Sequence, residues 1–211
     1  RVYNLNENFK NYFKSYDFHN LYKELLNFCT VELSAFYFDI RKDSLYCDPK
    51  NFERRESCII VLNIILESLI KWFAPILSFT TEEIYTLINQ DKKSIHLEKF
   101  IEFPESFKNE KLNKKWEELR KIRDICNISI ETKRASKEIG SSLEASLIIN
   151  LSEKLFDITK DIDFSELCIT SVAKVNKTDS AEISAVSTKA EGKKCPICWK
   201  INKNGCERHP V

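Results

Sequence analysis

The chain has 211 residues, 43% hydrophobic and 31% charged, which is enough for one or two domains with a real core and unlike a disordered or fibrous polymer. Lysine plus arginine (33) nearly cancels aspartate plus glutamate (32), so a strongly basic coat for nucleic acid is excluded and any such contact must come from a local patch. Three scattered glycines, Gly140, Gly192 and Gly205, cannot build a phosphate-cradling loop or a dinucleotide fingerprint.

The absence of methionine, with Arg1 first, is what a piece of a longer polypeptide would show. A first helix is predicted from Phe18 to Ile40, its apolar face made by Phe18, Leu21, Leu25, Phe28, Val31 and Phe36. Asp48-Pro49 signals a turn. A second helix, about Phe52 to Phe73, starts charged and becomes apolar almost all round, which places it in the centre of a bundle with Trp72 in the core. Asn63, Glu67 and Lys71 interrupt the longest apolar run, Cys58 to Phe79, so it is no membrane span. Pro75 breaks this helix, and Thr80 with Glu83 has the capping-box pattern for the next, faced by Ile84, Leu87 and Ile88.

A long helix is expected from about Ser106 to Ile139, with Leu112, Trp116, Leu119, Ile122, Cys126 and Ile130 on one face and Gly140 as its C-terminal cap. Ten basic against six acidic residues lie between Lys108 and Glu138, which a solvated helix face explains without further function. The period then changes. Ala145, Leu147, Ile149 and Leu151 alternate as in a half-buried strand, Ser152 opens a short helix, and further strands are expected at Leu167–Val175 and Glu182–Thr188. The sum is a mainly α chain: a four- or five-helix bundle, a small α+β unit and a short cysteine-bearing tail. His19 and His96 have no motif around them, and no nucleophile or acid–base pair suggests an independent enzyme.

Five of the eight cysteines (Cys29, Cys47, Cys58, Cys126, Cys168) are scattered singly, as buried thiols in a reducing cytoplasm would be. The other three crowd into the tail. Cys195-Pro196-Ile197-Cys198 is a zinc-knuckle half-site, and Cys206 with His209 would complete a tetrahedral set. A redox dithiol is the competing reading, disfavoured because such motifs sit at a helix start beside a βαβ core, which is not expected here. So short a tail would draw most of its folding energy from the metal.

The run from Phe36 to Asp48, followed by Arg54-Arg55 and by Trp72 to Ile84, resembles the anticodon-binding region of bacterial isoleucyl-tRNA synthetases. Ile139 to Ala145 resembles that family's junction after the long helix, and Lys194 to Trp199 the first half of its C-terminal zinc module. The resemblance implies an anticodon-binding helical bundle at 1–140, a small α+β junction unit at 141–188 and a zinc-knuckle tail at 189–211. Relatives often carry the second ligand pair further on, so ligands beyond Val211 are the alternative to Cys206 and His209. It further implies an ATP-dependent ligase that charges isoleucine tRNA and edits valine, since one methylene discriminates too little by binding alone. ATP and Mg2+ would belong to a catalytic domain upstream, beside an editing domain, and this chain would have no ligase activity alone.

The implied partners are the anticodon arm of isoleucine tRNA and those upstream domains of the same polypeptide, with no DNA and no membrane, in a cytoplasmic monomer. Phosphates would be met by lysine and arginine, and splayed bases by stacking. Arg41, Lys42, Arg54 and Arg55 flank the turn between the first two helices, Lys133, Arg134 and Lys137 end the long helix, and Trp199 offers a stacking face. The rival from another class is a helical protein-interaction module with a zinc-binding tail.

Overall fold

The computed structural model describes residues 1–90 and 94–209; Pro210 and Val211, the end of the tail as read from sequence, lie outside them. The chain forms two compact units, Arg1–Asn109 and Glu110–Val211.

Among the described residues, every regular element of the first unit is a helix. Helix α1 (Val2–Ser15), which no sequence signal above singled out, ends where Tyr16 turns left-handed (φ 58°), and Asp17 caps α2 (Phe18–Asn27) by accepting from the Asn20 amide. The chain then continues through a π-helical stretch, Phe28–Phe38, into α3 (Asp39–Cys47). This widening corrects the expected apolar face. A 3.6-residue period puts Val31 and Phe36 inside, but the wider turn carries the buried stripe from Phe28 to Leu33, and Val31 is left exposed.

Helix α4 (Glu53–Phe73) delivers Trp72 to the centre of a core with Leu5, Phe9, Leu21, Leu25, Phe28, Leu33 and Ile65. The indole meets Phe9 edge-on at 4.9 Å, and its N–H donates to Asn6 Oδ1 (3.0 Å). Asn6 in turn donates to the Ile101 carbonyl (2.8 Å), so the buried amide is satisfied on both sides. The expectation that α4 is buried all round is corrected: Ile60, Val61 and Leu66 face solvent.

Helix α5 (Ser78–Ile88) begins two residues before the expected cap. Thr81 donates back to the Leu77 carbonyl, and Glu82 instead accepts from Ser94 Oγ and the Ile95 amide. Its buried face is therefore Thr81 and Tyr85, not Leu87 and Ile88.

The second unit is built on α6 (Glu110–Ala135) and a three-stranded sheet in the order β2-β1-β3. Strand β1 (Ala145–Ser152) is central and buries Ala145, Leu147, Ile149 and Leu151 as their alternation required. It runs parallel to β2 (Val172–Thr178) through the crossover helices α7 (Glu153–Thr159) and α8 (Phe164–Leu167), and antiparallel to β3 (Ser184–Lys189). The segment Leu167–Ser171, expected as strand, is the end of α8 and a turn. Leu119, Ile122, Cys126 and Ile130 bury the face of α6, and Ser129 and Ser187 interlock by three hydrogen bonds of 2.7–2.9 Å.

Because α6 covers the sheet, it belongs to the second compact unit. It also ends before Gly140. Lys137 takes the left-handed position (φ 60°), and its amide donates to the Arg134 carbonyl. No helix among the described residues is long and apolar enough to cross a membrane.

Candidate metal centre and basic surfaces

The tail is a small hairpin of β4 (Lys193–Lys194) and β5 (Ile201–Asn202). Gly192 starts it at φ 131°, where an added Cβ would lie 2.3 Å from the Asn202 backbone, so only glycine fits. Between the strands the chain turns as a knuckle. The Cys195 amide donates to the Lys200 carbonyl (2.9 Å) and the Trp199 amide to the Cys195 carbonyl (3.0 Å), with Trp199 itself left-handed at φ 62°.

This brings Cys195 and Cys198, both buried, to Cys206 and His209, with all four ligand atoms within 4.8 Å of one another. Cys198 Sγ lies 3.7 Å from Cys206 Sγ, and His209 Nδ1 lies 3.6 Å from Cys195 Sγ and 3.4 Å from Cys206 Sγ. Ordinary zinc bond lengths give tetrahedral edges of about 3.8 Å between sulfurs and about 3.6 Å between sulfur and nitrogen. Donor set and spacing therefore fit a tetrahedral soft metal.

Burial pushes the Cys195 thiol up, but the amides of Cys198 and Ile197, the Cys198 thiol and His209 more than offset it and leave it at about 6. Cys198 goes the other way. Burial, with the thiols of Cys195 and Cys206, pushes it up to about 11 against the opposing Lys200 amide. The two thiols are thus pushed in opposite directions, Cys195 down and Cys198 up, and a bound cation would favour the thiolate of both.

Contrary to the expectation that no βαβ core is present, β1, α7, α8 and β2 form one. What distinguishes the site is that Cys195-x-x-Cys198 sits in a hairpin knuckle, off any helix start, with two further ligands against it. The tail is also better anchored than its length suggested. The Ile201 amide donates to Ser171 Oγ (2.6 Å) and Lys200 Nζ to Ser165 Oγ (3.2 Å). A serine between α8 and β2 carries no sequence signal for that role. Of the scattered cysteines, Cys58, Cys126 and Cys168 are buried and Cys29 and Cys47 half-buried, none of them in a disulfide.

The basic residues divide by what already holds them. Arg54 makes a two-pronged clamp on Asp48 (2.8 and 2.9 Å), whose side chain is fully buried, and reaches Asp43 at 3.4 Å. Arg55 donates to the backbone carbonyls of Leu45 (3.1 Å) and Lys50 (3.4 Å). Both thus tie the α3–α4 turn together. Arg41 lies over the Tyr37 ring, 5.8 Å from its centroid.

Lys42 pairs with Asp39, Lys133 with Glu138 and Arg134 with Glu131, all exposed or nearly so. Such surface pairs are worth about 0–1 kcal/mol and exchange readily. Arg134 and Lys137 share a shallow concavity with Glu131 and Gly140. Trp199 is 60% exposed, with Lys194 Nζ 5.9 Å from its ring centroid. The clamp could have been suspected from a carboxylate just before Pro49 and an arginine six residues on. His19 is exposed and His96 leans on the Ser78 carbonyl at 3.3 Å, so neither enters a site.

Residues 1–149 match the family model for the anticodon-binding domain of tRNA ligase. The chain is 75% identical over 209 residues to the isoleucine–tRNA ligase of Pelagibacter ubique, covering 99% of this chain and 23% of that protein. It is 42% identical over 193 residues to the isoleucine–tRNA ligase of Methylacidiphilum infernorum (92% of this chain, 21% of that protein). For that of Agrobacterium fabrum the figures are 38% over 200 residues, 90% and 21%. The chain thus spans about a fifth of the length of the curated relatives it matches. With the family model covering most of its length and the helical bundle in place, this chain belongs to the anticodon-binding domain family of tRNA ligases.

Proposed function

We propose that this chain is the part of an isoleucine–tRNA ligase that grips the anticodon arm of isoleucine tRNA. The observation that carries the reading is the 75% identity running over 99% of the chain to a ligase of that name. Activation of isoleucine with ATP and Mg2+, transfer to tRNA and editing of valine belong to catalytic and editing domains of the same polypeptide. The protein acts as a cytoplasmic monomer, with no DNA or membrane partner. By function we divide the chain into an anticodon-binding region at 1–140, in keeping with the family match over 1–149, a junction at 141–188 and a zinc-knuckle tail at 189–211; α6 is then the part of the first region that packs on the sheet.

Within this reading the roles sort by cost. Lys42, Lys133, Arg134 and Lys137 give up at most a weak surface pair on meeting a phosphate, and Trp199 offers an open stacking face. Arg54 would have to abandon a buried carboxylate, so it and Arg55 serve binding by shaping the turn. Cys195, Cys198, Cys206 and His209 hold Zn2+, whose chemistry there is structural, since all four positions are filled by protein.

The test is equilibrium binding of the chain to isoleucine tRNA and to the same tRNA with an exchanged anticodon. The exchange should weaken binding at least about tenfold, the energy of one or two lost base contacts. Equal affinities, or binding insensitive to salt, would favour the protein-interaction module instead.

A further inference from the structure

We propose that the cleft beside the α3–α4 turn receives one unpaired nucleobase of the anticodon loop, stacked on Phe52. The proposal rests on the reading that this chain grips an anticodon arm, and it names where a base would enter.

Tyr37, Arg41, Phe52, Glu53, Ser57 and Cys58 line a cleft of about 440 Å³, inside the roughly 300–1,000 Å³ range of small-ligand sites. Phe52 is nearly half exposed, yet it is not loose. Its amide donates to the Pro49 carbonyl (3.1 Å), and its carbonyl accepts from the amides of Arg55 (2.9 Å) and Glu56 (3.0 Å). The turn beneath it is closed by the Arg54–Asp48 clamp. A rigid aromatic face held out to solvent loses little entropy when something stacks on it.

The polar groups select a base over a phosphate. A phosphate offers only acceptors. Here Arg54, which also borders the cleft, is engaged by Asp48 and Asp43, and Glu53 adds a carboxylate that would repel an anion. Arg41 is a planar donor beside Tyr37, whereas Glu53 accepts and Ser57 can do either. Aromatic faces with both donors and an acceptor match the ring and the mixed edge of a splayed base. Lys42, on the exposed side of α3, is left to meet the backbone.

The test uses the chain and a labelled anticodon-arm hairpin of isoleucine tRNA, against the same hairpin with abasic loop nucleotides, read by fluorescence anisotropy. The wild-type chain should prefer the base-bearing hairpin. Phe52→Ala should lose at least about fivefold in affinity for it, with affinity for the abasic hairpin and the salt slope unchanged. Phe52→Trp should keep the preference, and Arg41→Gln should reduce it; a circular-dichroism melt shows that each variant is folded.

A wild-type preference that survives both Phe52→Ala and Arg41→Gln would overturn the cleft while leaving the anticodon-arm reading standing. So would an equal loss for both hairpins, which marks Phe52 as a support of the fold. A wild-type chain that binds neither hairpin would overturn the reading and the proposal together.

Discussion

The α3–α4 turn and the cysteine tail solve the same problem in opposite ways. Each is a short irregular segment that must be held in one shape. The turn carries its own counter-charges: Arg54 is clamped by Asp48 and Asp43, and Arg55 by backbone carbonyls, so nothing need be added. The tail collects three thiols and an imidazole, a donor set that could hold a cation, and on the proposed reading a bound Zn2+ completes it. A charge satisfied inside the protein shapes a surface. A charge or ligand satisfied loosely, or not at all from within, is what a partner can use.

The largest expected effect is on the tail. Chelation, or Cys198→Ser, should abolish its ordered knuckle and shift Trp199 fluorescence, as the loss of a structural metal worth on the order of 10 kcal/mol implies. Far-ultraviolet helicity should stay nearly whole, because no described helix includes a ligand. Collapse of the entire helical signal would show that metal supports more than the tail.

The turn should respond next. Arg54→Ala leaves the Asp48 carboxylate buried without its clamp and should cost about 2 kcal/mol of stability in urea denaturation, since water can partly replace a half-exposed guanidinium. In folded protein the salt slope of tRNA binding should not change. Charge reversal at Lys133 and Arg134 should do the converse: nearly unchanged stability and a slope flattened by about one per residue. Equal flattening by Arg54→Ala would dissolve the distinction between shaping and contacting residues.

The smallest effect is confined to alkaline pH. Burial, with its hydrogen bond to Glu98, pushes the Tyr85 phenol up to about 12 from an ordinary value near 10. Its folded pKa is raised, so its contribution is full below pH 10 and lost as pH rises through 12. Stability of the first unit should fall across that window, and Tyr85→Phe should remove that part of the fall. A Tyr85→Phe profile identical to wild type would deny the linkage.

Sequence and structure agree where one period runs undisturbed. The alternation from Ala145 to Leu151, the α6 face from Leu119 to Ile130 and the burial of Trp72 all follow from local spacing. Agreement fails where spacing changes unannounced. The π-helical stretch moves Leu33 inward and Val31 outward, and no residue in it is diagnostic of a wide turn. Gly140 attracted a cap that Lys137 supplies at positive φ. Helix α1 is hard to read locally because Leu5, Asn6 and Phe9 form a short stripe with a polar member, whose burial the Trp72 N–H and the Ile101 carbonyl together explain.

At the candidate sites, four ligands within fifteen residues were legible because a metal needs donors at short spacing. The Arg54–Asp48 clamp was not: it depends on how the turn closes, which composition does not encode.

The most direct measurement is a titration of the chain against intact isoleucine tRNA, with its isolated anticodon-arm hairpin and its isolated acceptor-arm hairpin as competitors. The account expects the anticodon arm to displace the tRNA and the acceptor arm to leave it bound. Displacement by the acceptor arm alone, or by both arms equally well, would contradict it.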